Sequence, residues 1–287
     1  MNHPQEGMTT PDAEASALAA HSAGLRYGST AVVHECSVRL APNRVTALVG
    51  PNGSGKSTLL RAMAGLHPVA DGEIGLGDRL ICDFAPKELA RRLTMLAQHR
   101  PTPGGLTVAD VVAFGRHPHR GRWRANDPHG PAAVDRAMAL TELHELADRP
   151  VDALSGGQIQ RVWLASCLAQ DTSVVLLDEP TNHLDLHHQV ELLRLVRQLA
   201  DTEGVTVGVV LHDLAQAGVV ADHLVLLDHG RVVAEGTAED VLRPDLLSQV
   251  YGVDVAVDRD PATGLLRVNA LGSLRRPAMV STMPLSA

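Results

Sequence analysis

The chain has 287 residues, 45% of them hydrophobic, with a formal net charge of −8 and three cysteines. That length and apolar content suffice for one large folded domain with insertions or two modest ones, and the acidic balance argues against broad electrostatic binding of nucleic acid. Cys36, Cys82 and Cys167 are far apart with no paired spacing, which fits buried thiols in a reducing, cytoplasmic compartment better than a disulfide frame or a zinc site.

No apolar run approaches the roughly 18–20 residues that a membrane helix needs, so any membrane association is expected to go through a partner. Residues 1–22 lack the basic start and apolar core of a secretory signal and read as a mobile tail. From Gly24 to Leu40 the sequence predicts short antiparallel strands turning at "YGST"; the apolar "RVTALVG" (44–50) is then a strand feeding a glycine loop. A helix is expected from near Gly55 through "KSTLLRAMAGL" to near Gly65, with Leu59, Leu60 and Met63 on its buried face. "PVADGEIGLGDRLI" reads as turns and a strand.

From about 87 to 167 the pattern is mostly helical: "PKELARRLTML", "TVADVVAFGRH", "GPAAVDRAMALTELHELADR" and the helix after "LSGG", interrupted by "HRPTPGGL" and "RGRWRANDPHG". This predicts a helical insertion in an α/β core. The core resumes with "SVVLLDEP" (173–180), a helix over "HHQVELLRLVRQLADTEG" and the run "VTVGVVLHD" (205–213). Short apolar runs alternating with helices predict parallel strands buried on both faces. "HLVLLDHGRVVAEG" (223–236) reads as a hairpin turning at Asp228–Gly230, and "GVDVAVDRDPATGLLRVNALG" as one more strand pair before a loose tail beyond Ser273.

Three stretches carry chemistry. "GPNGSGKST" (50–58) fits G-x-x-x-x-G-K-[ST] between a strand and a helix, the context in which glycines let the backbone curl round an anion. Lys56 would reach the β- and γ-phosphates of a nucleotide and the Ser57 hydroxyl would ligate Mg²⁺. "SVVLLDEP" places Asp178 at the C-terminal edge of a buried strand, where it could complete the Mg²⁺ shell, and Glu179 beside it could polarise an attacking water as general base. His212, ending another core strand, could donate to the γ-phosphate. The third stretch, "LSGGQIQR" (154–161), offers backbone N–H groups at a helix N-terminus, a second place for an anion to sit.

Together these motifs resemble the nucleotide-binding subunit of ATP-binding cassette (ABC) transporters over roughly residues 20 to 255. The resemblance implies a P-loop NTPase core, a mostly parallel sheet with an N-terminal antiparallel β subdomain, plus the inserted α-helical subdomain at about 87–167. It sets domain limits of 23–255 for the ATPase and 256–287 for a short C-terminal extension. It implies ATP bound by Tyr27, stacked on adenine, and by Gly50, Asn52, Gly53, Ser54, Gly55, Lys56, Ser57 and Thr58. Glu179, His212 and the Q-loop Gln98 would serve hydrolysis, and Ser57, Gln98 and Asp178 would hold Mg²⁺. Leu184–Asp185 looks like the D-loop, and Leu154, Ser155, Gly156, Gly157 and Gln158 are the signature. That signature is expected to act in trans, on the ATP of a second copy packed head to tail, since one chain has only one such lysine and one Asp–Glu pair. The turn at Pro42–Asn43 departs from the family's usual glycine, and Ile159 stands where a basic residue is commoner.

"VVAFGRHPHRG" and "PTNHLDLHHQ" further resemble the importer ATPases that serve iron–siderophore, haem and vitamin B12 permeases. That implies a homodimer of ATPase subunits on the cytoplasmic face of the membrane, an integral-membrane permease touched by about residues 100–125, an extracytoplasmic substrate-binding protein and no nucleic acid. Iron–siderophore import is the leading expectation. Haem or vitamin B12 import and export stay open, as does a non-transport cassette ATPase. The 15 histidines, among them His183, His187 and His188 and the pair His117 and His119, raise a metal-binding interaction module as a reading of another class.

Overall fold

The computed structural model describes residues 17–98, 103–120, 127–182 and 184–271. Two long strands, β1 (Leu18–Tyr27) and β2 (Thr30–Leu40), precede β3 (Val45–Val49), the glycine loop and helix α1 (Lys56–Met63). Strands β4 (Asp71–Leu76) and β5 (Arg79–Leu80) complete an antiparallel sheet ordered β2-β1-β4-β5. Helix α2 (Pro86–Leu89) leads into β6 (Leu93–Leu96). The helical region holds α3 (Val108–Ala113), a 3₁₀ stretch at Phe114–His119, α4 (Gly130–Leu140) and α5 (Gly156–Ala169). Next come β7 (Val174–Asp178), α6 (Leu186–Asp201), β8 (Thr206–Val210), α7 (Leu214–Val220) and the hairpin β9 (His223–Asp228) with β10 (Arg231–Gly236). Helices α8 (Ala238–Val241) and α9 (Pro244–Tyr251) precede a second hairpin, β11 (Val255–Arg259) with β12 (Leu266–Ala270).

The central sheet runs β10-β9-β3-β8-β7-β6, parallel throughout except for β10 on β9. Strands β3, β7 and β8 are buried along their whole length, and period-two alternation divides their side chains between two cores. Val45, Ala47, Val49, Val175, Leu177, Val207 and Val209 face the helical side; Leu48, Leu176 and Val210 face α1 and the antiparallel sheet. Each fully buried Leu or Val contributes about 1.5–3 kcal/mol, and this two-sided burial fixes the strand ends from which the site projects. Asn43 takes a φ of 56°, so the left-handed turn expected before β3 forms without glycine.

The structure corrects four readings. "PKELARRLTML" is not one helix: α2 is a single turn, and Leu93–Leu96 forms the edge strand β6, parallel to β7. Four residues, LTML, are too few to show a period that tells strand from helix, and the sheet edge decides it by burying Leu93 in one core and Leu96 in the other. The helical insertion therefore begins beyond Gln98, not near 87. The first strand starts at Leu18, not Gly24, with Leu18 paired to both Leu40 and Leu76, so the segment 18–22 is sheet rather than tail. A bulge at Ser22, φ 46°, interrupts the alternation that would have revealed it. The limit at 255 cuts β11, whose hairpin packs on α9, Val255 N donating to Ser248 Oγ at 2.9 Å. Cys82 is exposed, whereas Cys36 and Cys167 are buried as expected.

The "GRHPHRG" string turns partly inward. A Cβ on Gly115 would lie 1.9 Å from Ser166 O, so only glycine lets the 3₁₀ stretch touch α5. Arg116 is 3% exposed and grips Asp127 through Nε and Nη2 at 2.8 and 2.9 Å while Nη1 donates to Ala169 O at 2.9 Å. His119 Nε2 lies 2.8 Å from Gln170 O, and His117 is exposed. Within the expected permease-touching segment, then, Gly115, Arg116 and His119 build the helical region itself; residues 99–102 and 121–126 lie outside the described residues.

Candidate functional site

Strands β3, β6, β7 and β8 are parallel, so their C-terminal ends open on one edge of the sheet, the edge where α/β proteins bind ligands. The loop after β3 bends through Gly50, Gly53 and Gly55 with φ of 140°, 80° and 97°, values that side chains resist. At Gly50 a Cβ would also stand 2.0 Å from Leu227 O. Ser54 is buried, Asn52 and Gly53 are exposed, and Thr58 lies half-buried in the first turn of α1. Lys56, 4% exposed, donates from Nζ to Gly50 O and Pro51 O at 2.9 and 2.8 Å, curling the loop around its ammonium. Burial pushes the Lys56 pKa down, against the pull of Glu179 and Asp178.

Ser57 Oγ donates to Asp178 Oδ1 at 2.6 Å, and Arg61 Nη2 reaches Asp178 Oδ2 at 3.4 Å. A hydroxyl and a carboxylate at this spacing are the hard oxygen donors that Mg²⁺ prefers. The positive-φ glycines, the N–H groups opening α1 and the Lys56 ammonium match a chain of phosphates. The residues present thus fit a nucleotide with its metal.

Glu179 leaves β7 at φ 52°, a conformation costing about 1–3 kcal/mol for a non-glycine residue. Its carboxylate, 11% exposed, gathers three partners: His212 Nε2 lies 2.6 Å from Oε1, while Asn182 Nδ2, at 2.5 Å, and Gln98 Nε2 both donate to Oε2. Such a carboxylate is aimed and desolvated, which suits it to take a proton from water.

The structure therefore brings Lys56, Ser57, Asp178, Glu179, Gln98 and His212 together. Tyr27 stands at the end of β1, half exposed, its ring 4.6 Å from that of His67. Leu154–Gln158 lie apart, with no hydrogen bond or ion pair to the phosphate loop among the described residues. Ser155 caps α5: its Oγ accepts from Gln158 N at 3.3 Å and Gln158 Oε1 accepts from Ser155 N at 3.0 Å. A Cβ on Gly156 would meet nothing within 4 Å, so this helix start is open to an outside partner. Ile159 is half-buried against the helical core, which accounts for an apolar residue there. Asp185 caps α6, accepting from His188 N at 3.0 Å, and those bonds hold its carboxyl below the usual range.

Sequence reasoning missed Asn182, Arg61 and His67, and also Gln160, whose Nε2 donates to Pro180 O at 3.1 Å and ties the signature helix to the turn after β7. For Asn182 a signal existed, an amide three residues after the carboxylate across a proline-containing turn. The histidine idea fares worse. His187 and His188 pair with Glu191 and Asp185, and among the described residues no three His, Cys, Asp or Glu side chains gather to hold a metal; His183 lies outside them.

A phosphate loop facing an Asp–Glu strand end on a parallel sheet defines a P-loop nucleoside triphosphatase. The chain belongs to the ABC transporter family, which it matches over residues 33–182, and it is one of that family's ATP-binding ATPases. The ferric enterobactin transport ATP-binding protein FepC of Escherichia coli (strain K12) is 44% identical over 251 residues, 86% of this chain and 92% of that protein. The iron(3+)-hydroxamate import ATP-binding protein FhuC of Bacillus subtilis (strain 168) is 39% identical over 86% of this chain and 92% of its own. A hemin import ATP-binding protein of Streptomyces coelicolor is 43% identical over 267 residues, 92% of this chain and 94% of that one. Among solved structures, an inward-facing ABC transporter of metal-chelate type superposes with a TM-score of 0.78 at 25% identity, covering 90% of this chain and 98% of that one. A dimeric bacterial ABC transporter cassette gives 0.68 at 25% identity, covering 77% and 98%.

Proposed function

We propose that the chain is the ATP-hydrolysing subunit of an importer, working as a homodimer beneath an integral-membrane permease on the cytoplasmic face, and that its cargo is an iron–siderophore complex delivered by an extracytoplasmic binding protein. The convergence of Lys56, Ser57, Asp178 and Glu179 at one sheet edge carries the ATPase part. Lys56 and the loop N–H groups hold the phosphates, Ser57 and Asp178 hold Mg²⁺ with Gln98, and Glu179 takes the proton of the attacking water while His212 faces the γ-phosphate. Mg²⁺, when bound, neutralises charge on the β- and γ-phosphate oxygens. The signature at Ser155–Gly157 meets the second copy's ATP, so binding closes the dimer and hydrolysis releases it. Driving such a switch from 1:99 to 99:1 requires about 5.5 kcal/mol of preference for the closed state.

Among the described residues no helix is long and apolar enough to cross a membrane, which is why a permease must supply the path. A groove of about 1050 Å³ lined by Ala64, Leu66, Ile74, Ile81, Phe84 and Met95 lies against β6, the strand leading to Gln98. A permease helix seated there would press on the strand that positions Gln98. The siderophore reading is supported by the ferric enterobactin and hydroxamate relatives, and haem import is the second reading, supported by the hemin relative. The test is co-purification with a membrane permease, followed by ATP-dependent uptake of ⁵⁵Fe–siderophore against ⁵⁵Fe–haem in proteoliposomes. Uptake of neither, with the complex intact and hydrolysing ATP, would remove the importer reading.

A further inference from the structure

We infer that Asn182 is a positioning residue for the hydrolytic carboxylate, an inference that rests on reading Glu179 as the general base. The two belong to one turn, Glu179–Pro180–Thr181–Asn182, closed by Asn182 N donating to Glu179 O at 3.3 Å. That turn returns the Asn182 side chain to Glu179, where Nδ2 donates to Oε2 at 2.5 Å. The turn's other carbonyls are braced from outside, Pro180 O by Gln160 Nε2 at 3.1 Å and Thr181 O by Gln189 Nε2 at 3.4 Å. The Asn182 amide is therefore not needed to hold the backbone, and the carboxylate is the hydrogen-bond partner it serves.

Of the three groups on Glu179, two come from distant elements. Gln98 follows β6 at the start of the helical region, and His212 follows β8. Their contacts change whenever those elements shift. Asn182 moves with Glu179 itself, so its bond persists and keeps Oε1 turned toward His212. A neutral amide suits this task, because it donates to the carboxylate without setting a further charge beside it.

The test measures kcat and KM for ATP hydrolysis by the full chain with MgATP for wild type, Asn182→Ala, Asn182→Asp and Glu179→Gln, with thermal melts and ATP binding as folding controls. Removing the donor should lower kcat at neutral pH about tenfold, with KM for ATP unchanged. Asn182→Asp, isosteric but without the amide donor, should lower kcat at least as far. A kcat equal to wild type in both variants, or a loss that falls on KM, would overturn the role of Asn182. Should the alanine variant fail to fold, the isosteric variant decides. Normal turnover by Glu179→Gln overturns the base reading and this inference with it; slow turnover there with wild-type kcat in both Asn182 variants overturns Asn182 alone.

Discussion

Ser57 Oγ and Asp178 Oδ1 stand 2.6 Å apart, joining the first turn of α1 to the end of β7 across 121 positions of sequence. This bond closes the metal-binding end of the site: the helix start supplies a hydroxyl, the strand end a carboxylate, and Arg61 reaches the second carboxylate oxygen at 3.4 Å.

Asp178→Asn keeps the shape and removes the charge that would attract a divalent cation. ATPase activity should fall about a hundredfold or more, and the Mg²⁺ concentration for half-maximal rate should rise. Chelation of Mg²⁺ by EDTA should abolish hydrolysis by the wild type. A Mg²⁺ titration of the rate checks both, and an unchanged half-saturation in the variant would exclude Asp178 from the metal shell.

Glu179→Gln retains the geometry but loses the proton acceptor. Hydrolysis should drop by about 10²–10⁴-fold, the usual worth of a general base, while ATP still binds. With the release step blocked, an ATP-bound dimer should accumulate, visible as a shift in size-exclusion elution. Wild-type turnover in this variant would place the base elsewhere.

The site was more legible in the sequence than the element limits. Gly50, Gly55, Lys56 and Ser57 are forced by local backbone and charge requirements, so their spacing alone placed them between β3 and α1. Short unbroken apolar runs between helices made β7 and β8 equally plain. Edge strand β6 was not, because four residues are too few to show a period of their own and only pairing with β7 settles them. Asn182 and Gln160 escaped because their partners, a turned carboxylate and the Pro180 carbonyl, exist only after folding. Arg116 lies in the segment expected to touch the permease, yet Asp127 and Ala169 O draw it inside.

That pair makes a stability prediction. The Arg116 guanidinium holds the Asp127 carboxyl below its ordinary value of 3.8. A depressed folded-state pKa adds stability that is fully present above the unfolded value and is lost as pH falls through the folded one. Arg116→Ala strands the carboxylate and the Ala169 carbonyl, so urea denaturation at neutral pH should show a loss of about 3 kcal/mol. The gap between wild type and variant should narrow below pH 3.8. A gap independent of pH would mean that lost packing, rather than the ion pair, carries the effect.

The trans role of the signature can be tested by mixing. Lys56→Ala should lose nucleotide binding, and Ser155→Ala should bind ATP as a single chain yet close poorly into a dimer. In a head-to-tail dimer related by two-fold symmetry, each site takes its phosphate loop from one chain and its signature from the other. A mixed dimer of the two variants then contains one doubly damaged site and one intact site, made from the Lys56 of one chain and the Ser155 of its partner. Mixing should raise ATPase activity above the sum of the two variants measured alone. If each signature served its own chain's nucleotide, both sites of the mixed dimer would stay damaged and mixing would restore nothing. The open N-terminus of α5, where a Cβ on Gly156 would meet no other atom within 4 Å, favours the first outcome.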